Sequence, residues 1–466
     1  MERPIAWKRY TPEQLDELEA FSRDYTGFIS ENKTERECVA TAIALAEEAG
    51  YRNLDDLVES GSTLEAGSRV YASNRGKSLI LVELGAKPLT EGLNVLGAHV
   101  DSPRLDIKQN PLEEKNDLAF LDTHYYGGVK KYQWVTLPLA IHGVIAKKDG
   151  TVVPVCVGEC ACDPVFVISD LLIHLSQEQL QKKASEVIEG EMLDLLVGHK
   201  PLIVKDDEED KKDPVKAQVL ALLADLYEMD EEDFLSAELE VVPAGPARDL
   251  GFDRSMILGY GHDDRSCSYP SLRAQIELAE VPARTALTIL VDKEEIGSVG
   301  STGMTSRFFE NVVAEILALA GYGEGSLALR RCLANSYMLS SDVSAAFDPT
   351  FASAFEPKNA AYMGRGLTFN KFTGSRGKSG SNDADAEYVA LIRRVMDEHD
   401  VSWQTAELGK VDLGGGGTIA YILAEYGMHV IDCDVPVLSM HAPWEVVSKA
   451  DLFEAYRGYQ AFLTLE

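Results

Sequence analysis

Apolar residues recur along the chain with two different periods, and the changes of period mark out its elements. Near the N-terminus Leu15, Leu18 and Phe21 fall at helical spacing behind Thr11-Pro12, a capping hydroxyl followed by proline at the first helical position. Thr34-Glu35-Arg36-Glu37 reads as a capping box, and the Ala- and Leu-rich helix behind it is expected to end at Gly50. Extended runs follow, SLILVELG and then GLNVLGAHVDSP. Beyond Arg248 strand, loop and helix alternate. ALTILVDKEE is an apolar strand ending in acids, and TSRFFENVVAEILALAG is a capped amphipathic helix closed by Gly321. NSYMLSSDV, VDLGGGGTIAYILAEYG and HVIDCDVPVLSMHAP repeat the alternation. Strands alternating with helices imply an α/β fold: a mostly parallel sheet flanked by helices on both faces.

Between residues 104 and 248 the texture changes. TLPLAIHGVIA and TVVPVCVG are strand-like, and DPVFVISDLLIHLSQ is expected to be a helix. The charged run Lys205 to Asp213 reads as a solvated loop, because it has neither the alternating ligands nor the turn glycine of a calcium loop. The change divides the chain into residues 1–103 with 249–466, and an inserted β-rich segment, 104–248.

Composition narrows the classes of function. With 44 Lys+Arg against 76 Asp+Glu, the net charge is −32, which argues against nucleic acid or anionic membrane as a partner. No apolar run approaches the length of a membrane span, and the N-terminus has no apolar signal-peptide core. Seven cysteines, an odd number, suggest free thiols and a cytoplasmic location. Cys156, Cys160 and Cys162 have C-x3-C-x-C spacing without a matching second half. Their shared parity suggests one buried face of an extended segment rather than a soft-metal site.

Four strand-like runs end in residues able to bind metal: His99 and Asp101, Glu294 and Glu295, Asp342, and His441. Ligand sites in open parallel sheets form at the carboxyl ends of the strands, so these ends converge if the strands share one sheet. Gly261-His-Asp-Asp-Arg265 supplies a further acidic cluster at a loop or helix start. Together these residues are the inventory of a two-metal hydrolytic site. Of two adjacent acids, one can bind metal while the other stays free as a base. Asp101 is placed to hold the imidazole of His99 by hydrogen bonding.

AHVDSPRLDIK, YGHDDRSCSY, VDKEEIGSVGS, SSDVSAAFDP and SMHAPWEVVSKADL, in this order and spacing, resemble the M18 metallo-aminopeptidases, the aspartyl aminopeptidase family, and most of all its bacterial members. The resemblance runs nearly end to end. It implies two divalent metal ions per chain, zinc first, with manganese or cobalt as alternatives. His99 and Asp342 would bind one ion, Glu295 and His441 the other, and Asp263 would bridge them. The family motif is often Asp-Asn with the first residue as ligand; Asp264 stands at the Asn position and is the second choice. Glu294 would be the general base and Asp101 the carboxylate behind His99. The resemblance also implies peptide substrates, an inserted dimerisation domain matching 104–248, and a homo-oligomer, a dodecamer built from dimers. The His-Pro that follows the Ser-x-Asp motif in eukaryotic relatives is replaced here by Phe347-Asp348-Pro349, so an acidic preference would depend on Lys371 or a neighbouring base.

Two other readings stay open on sequence. A carboxypeptidase or N-deacylase on the same scaffold would use Arg265, Arg365 or Arg376 for a substrate carboxylate, and an acidic assembly protein would need no base. Gly377-Lys378-Ser379 is not a phosphate loop, since Phe372 occupies the place of its first glycine. Gly297, Gly300 and Gly303 precede no dinucleotide-binding unit and suit a tight turn behind the glutamates. Gly414–Gly417 suits pocket shaping or close backbone packing.

Overall fold

The computed structural model describes residues 3–203 and 212–466. The charged run 205–213 lies outside the described residues except for Lys212 and Asp213. The chain divides into two compact units. One comprises Met1–Ser102, Ala247–Met440 and Glu445–Glu466; the other comprises Pro103–Pro246 and His441–Trp444.

The first unit is built on a 13-stranded sheet. Its centre is parallel: Leu93–His99 lies between Thr285–Val291 and Tyr337–Ser340, and the latter pairs with the start of His429–Leu438. The register sets Val291 opposite His99 and Ser340 opposite Gly97, so these strands end together. The flanks depart from the expectation of a mostly parallel sheet. Arg69–Asn74 and Ser78–Glu83 form a hairpin, and Ser78–Glu83 runs antiparallel to Thr285–Val291. At the other side His429–Leu438, Glu445–Ser448, Met256–Gly259 and Arg248–Leu250 pair antiparallel in turn. The sheet is therefore mixed. The reason lies in the connections: a turn as short as 75–77 can join only antiparallel neighbours, whereas parallel ones need a crossover.

Alternation along the strands sorts side chains between two cores. Leu79, Leu81, Leu96, Ala98, Leu290 and Leu339 face the helices Pro12–Glu31, Glu35–Glu48, His262–Ile276, Ala386–Glu398 and Lys449–Leu463. Ile80, Val82, Val95, Leu287, Ile289 and Met338 face Leu54–Glu59, Phe308–Leu317, Ser326–Ala334 and Ala420–Ala424. Both faces being covered explains why the central strands are mostly apolar. The helix starts at Thr11 and Thr34 are full capping boxes, with Gln14 and Glu37 answering each threonine. The helix in 305–321 has no side-chain cap. It begins at Phe308 behind Arg307 and passes at Ala318 into a wider turn that includes Gly321.

The second unit is a six-stranded antiparallel sheet. Its strands are, in order, Val152–Val157, Leu139–Ala146, Ala237–Pro243, Arg104–Lys115, Leu118–Tyr126 and Leu195–Gly198. Val215 and Val219 of the helix Pro214–Tyr227 are buried. The stretch from Asp163 to Gln177 is not the helix its apolar run suggested. Phe166 exchanges both main-chain hydrogen bonds with Leu139, at 2.8 and 2.9 Å, and Val167 bridges to Leu196. A short apolar run rich in β-branched and aromatic residues does not by itself distinguish helix from strand, and here the neighbouring strands satisfy its backbone. Cys156, Cys160 and Cys162 are exposed, which overturns their expected burial; Cys38, Cys267, Cys332 and Cys433 are the buried thiols.

Candidate metal centre

Three parallel strands deliver their last residues to one place. His99 closes Leu93–His99, Asp342 follows Tyr337–Ser340, and Glu294 and Glu295 follow Thr285–Val291. Main-chain bonds lock the ends together: Val100 N–H donates to Val291 O at 2.9 Å, and Ser341 N–H to Gly97 O at 2.6 Å. Asp263 and Asp264 arrive from the helix His262–Ile276, whose first turn is irregular at both residues.

The side chains then close on His99. Its Nε2 lies 3.2 Å from Asp263 Oδ1 and 3.6 Å from Asp342 Oδ1, and its Nδ1 lies 3.2 Å from Asp101 Oδ1. One possible cation position is framed by His99, Asp263 and Glu295, another by His99, Asp264 and Asp342; in each the ligand atoms lie within 4.8 Å of one another. Burial by itself would lower the pKa of His99, but the carboxylates of Asp101, Asp263 and Asp342 hold it well above the usual value. Burial drives Asp342 and Asp264 the other way, towards the protonated acid. Burial first, and then Asp342, pushes the Glu294 carboxyl up to about 8. So many buried acids around one imidazole cannot all ionise together, and divalent cations would allow them to do so. His99 Nε2 and Asp264 Oδ1 are buried and make no hydrogen bond of good geometry. This donor set of imidazole nitrogen and carboxylate oxygen suits zinc, manganese or cobalt.

Asp101 orders the site from behind. Its Oδ1 accepts from Glu294 N–H at 3.1 Å and its Oδ2 from Glu295 N–H at 3.2 Å. Those amides open the short helical turn Glu294–Ile296, where N–H groups have no partner within the turn itself. One carboxylate therefore positions both glutamates and touches the His99 ring. Two further residues act on the acidic pair and had no role assigned from sequence. Glu445 Oε2 accepts from Asp263 N–H at 3.0 Å, and Ser102 Oγ donates to Asp263 O at 2.6 Å. Each lies in a stretch of matched motif, but only the fold shows what it touches. Asp264 Oδ2 accepts from His99 N–H at 3.2 Å, which ties that carboxylate to the strand end.

His441 falls in the second unit, its Nδ1 2.9 Å from Gly128 O. Lys371 is exposed and donates to Asp383 at 2.6 Å, and Lys378 binds the other oxygen of Asp383 at 3.0 Å. Arg265 is buried, with its Nη2 donating to Lys33 O and Val100 O. The Gly414–Gly417 run packs on the 373–379 loop: a Cβ at Gly415 would come within 2.4 Å of the Ser375 backbone.

The model of the family described as Aminopeptidase I zinc metalloprotease (M18) matches residues 28–463. The chain belongs to the M18 family. The probable M18 family aminopeptidase 1 of Clostridium acetobutylicum is 61% identical over 459 residues, 98% of this chain and 97% of that protein. The crystal structure of an aminopeptidase I from the same organism superposes with a TM-score of 0.92 at 59% identity, covering 99% of each chain. An M18 aminopeptidase structure from Thermotoga maritima gives 0.93 at 45%, again over 99% of each. A structure of the S. cerevisiae mApe1 dodecamer, 21% identical, shares the fold at 0.75 over 94% of this chain and 95% of that one. The M18 protein described here is thus a metal-dependent aminopeptidase, a hydrolase of peptide bonds. The carboxypeptidase, deacylase and assembly-protein readings fall away.

Proposed function

We propose that the site is dinuclear, with Asp263 bridging two divalent cations. His99 and Asp342 would hold one cation and Glu295 the other, with zinc as the first choice. Asp263 is favoured over Asp264 because its Oδ1 faces the His99 ring, whereas Asp264 is bonded to the His99 main chain. His441 enters as the fifth ligand on the Ser-Met-His-Ala-Pro-Trp motif alone. Bound ions of this kind polarise a carbonyl oxygen and lower the pKa of water towards ~7.

The chain's own groups do the rest. Glu294, partly buried and anchored through its amide, takes a proton from the attacking water and returns it to the leaving amine. Asp101 holds His99, Glu294 and Glu295 in mutual register. The observation that carries this reading is the double hydrogen bond from adjacent glutamate amides to Asp101. It anchors both glutamates side by side, and the carboxylate oxygen that Glu295 presents close to His99 and Asp263 supports Glu295 as ligand and Glu294 as base. The test is Glu294→Gln assayed on aminoacyl anilides together with metal analysis. Turnover lost with both metals retained supports the assignment; loss of metal exchanges the roles of Glu294 and Glu295.

Three coarser proposals accompany it. An acidic N-terminal residue would be recognised by Lys371 drawn away from Asp383, and the ratio of Asp- to Leu-anilide rates in Lys371→Ala reads this. The second unit, which holds most of 104–248, would make the main subunit contact of a homo-oligomer; the yeast relative is itself a dodecamer. Exposed Val152, Val165, Leu172, Ile173 and Leu175 in that unit support it. The enzyme would work in the cytoplasm on peptides, consistent with its free thiols.

A further inference from the structure

We propose that Cys160 and Cys162 form a redox-active dithiol, which closes to an intramolecular disulfide by exchange with low-molecular-weight disulfides. The pair lies in the turn that follows the strand Val152–Val157 in the second unit, and both residues are exposed. Their sulfurs are 2.6 Å apart. The turn is built to present them together. Asp163 Oδ2 accepts from Gly158 N–H at 3.3 Å and from Cys160 N–H at 3.1 Å, and Cys162 N–H points at Cys160 Sγ across 3.5 Å.

The alternative use of such a loop is a soft-metal site, since Cys160, Cys162 and Asp163 present ligand atoms close together. The geometry disfavours it. Two thiolates on one tetrahedral zinc, at bonds of ~2.3 Å, stand about 3.7 Å apart, well beyond the 2.6 Å found here. Asp163 is already committed to the turn, and its Oδ1 stands 4.0 Å from Cys162 Sγ. Cys156 stands apart, 3.9 Å from His142 Nε2.

The two thiols are also unequal. Cys160 lies below the ordinary thiol value because the Cys162 thiol and then the Cys162 amide donate to its sulfur, while the same neighbour pushes Cys162 up. Cys160 is therefore the better supplied with thiolate, the reactive form. Its thiolate attacks one sulfur of R–S–S–R, forming Cys160–S–S–R and releasing RS⁻. The Cys162 thiolate then attacks the Cys160 sulfur, forming the Cys160–Cys162 bond and releasing the second RS⁻. The two protons lost by the cysteines are taken up by the two RS⁻, so two protein thiols and one disulfide give one protein disulfide and two thiols.

The experiment treats the metal-loaded, full-length enzyme with oxidised glutathione, then alkylates, digests and maps it by mass spectrometry. The expected result is a peptide containing Cys160 and Cys162 that is two hydrogens lighter, not alkylated, and restored by dithiothreitol. Cys160→Ser and Cys162→Ser should each instead retain a stable glutathione adduct on the remaining cysteine. Three results would overturn the proposal: two alkylatable thiols after treatment of wild type, a disulfide from either residue to Cys156, or protection of both by added zinc in place of oxidation.

Discussion

Asp101 shows how much of this site rests on one side chain. Its two oxygens receive the amides of Glu294 and Glu295, and one of them also faces the ring of His99. Asp101→Asn keeps the shape but loses an acceptor oxygen and its charge. Metal affinity should fall ~10–100-fold, measured by competition with a chromophoric chelator, with folding intact by circular dichroism. Glu294→Gln makes a different demand. Turnover on a Leu-anilide should drop by ~10²–10⁴ while metal content stays at the wild-type level. Glu295→Gln should lose metal first and activity as a consequence. A Glu294→Gln enzyme with unchanged kcat would remove Glu294 from the mechanism.

At the scale of elements, the acidic pair depends on the turn that carries it. Gly261 has φ +76°, and a Cβ there would come within 1.8 Å of Arg265 Nη1 and 2.9 Å of Ser102 Oγ. Arg265 in turn holds the main chain at Lys33 and Val100, and Ser102 holds Asp263. Gly261→Ala should therefore cost about 1–3 kcal/mol from the backbone conformation alone, and should displace Asp263 with it. Urea unfolding and metal binding should both report the loss; a variant of wild-type stability and affinity would show that the turn tolerates a side chain. The entry to Glu35–Glu48 is tied to the same turn, since Arg265 holds Lys33 just before the cap. Thr34→Ala breaks the reciprocal pair with Glu37 and should destabilise by ~0.5–2 kcal/mol, read by urea unfolding.

At the scale of the whole molecule, cation binding and folding should be coupled, because the carboxylates gathered around His99 would ionise together more readily with cations bound. Removing metal with a chelator should abolish activity and lower Tm. Zinc, cobalt or manganese should restore both; a ligand at a hundredfold its Kd contributes ~2.7 kcal/mol to stability. Activity that survives complete demetallation would exclude the mechanism. The proposed assembly is tested separately. Light scattering at micromolar concentration should show a mass many times that of one chain, and charged substitutions at Ile173 and Leu175 should reduce it.

Much of this was legible along the chain because its signals are local. Capping boxes, an apolar run before His99 and another before Glu294 are each set by a few consecutive residues. Motif order identified the family, and parallel strands made it reasonable that their ends meet. Other features were settled only by tertiary structure. Antiparallel flanks on a parallel centre depend on which strands become neighbours. The stretch around Phe166 joined a sheet because Leu139 and Leu196 offered partners far away in sequence. Cys156, Cys160 and Cys162, whose shared parity suggested burial, lie exposed: Cys156 is on the outer face of its strand beside buried Val155, and Cys160 and Cys162 lie past the strand's end at Val157, where parity no longer holds. The roles of Glu445 and Ser102 were hidden for the same reason. A hydrogen bond to the Asp263 backbone depends on where two distant segments come to rest, and neither composition nor spacing along the chain encodes that position.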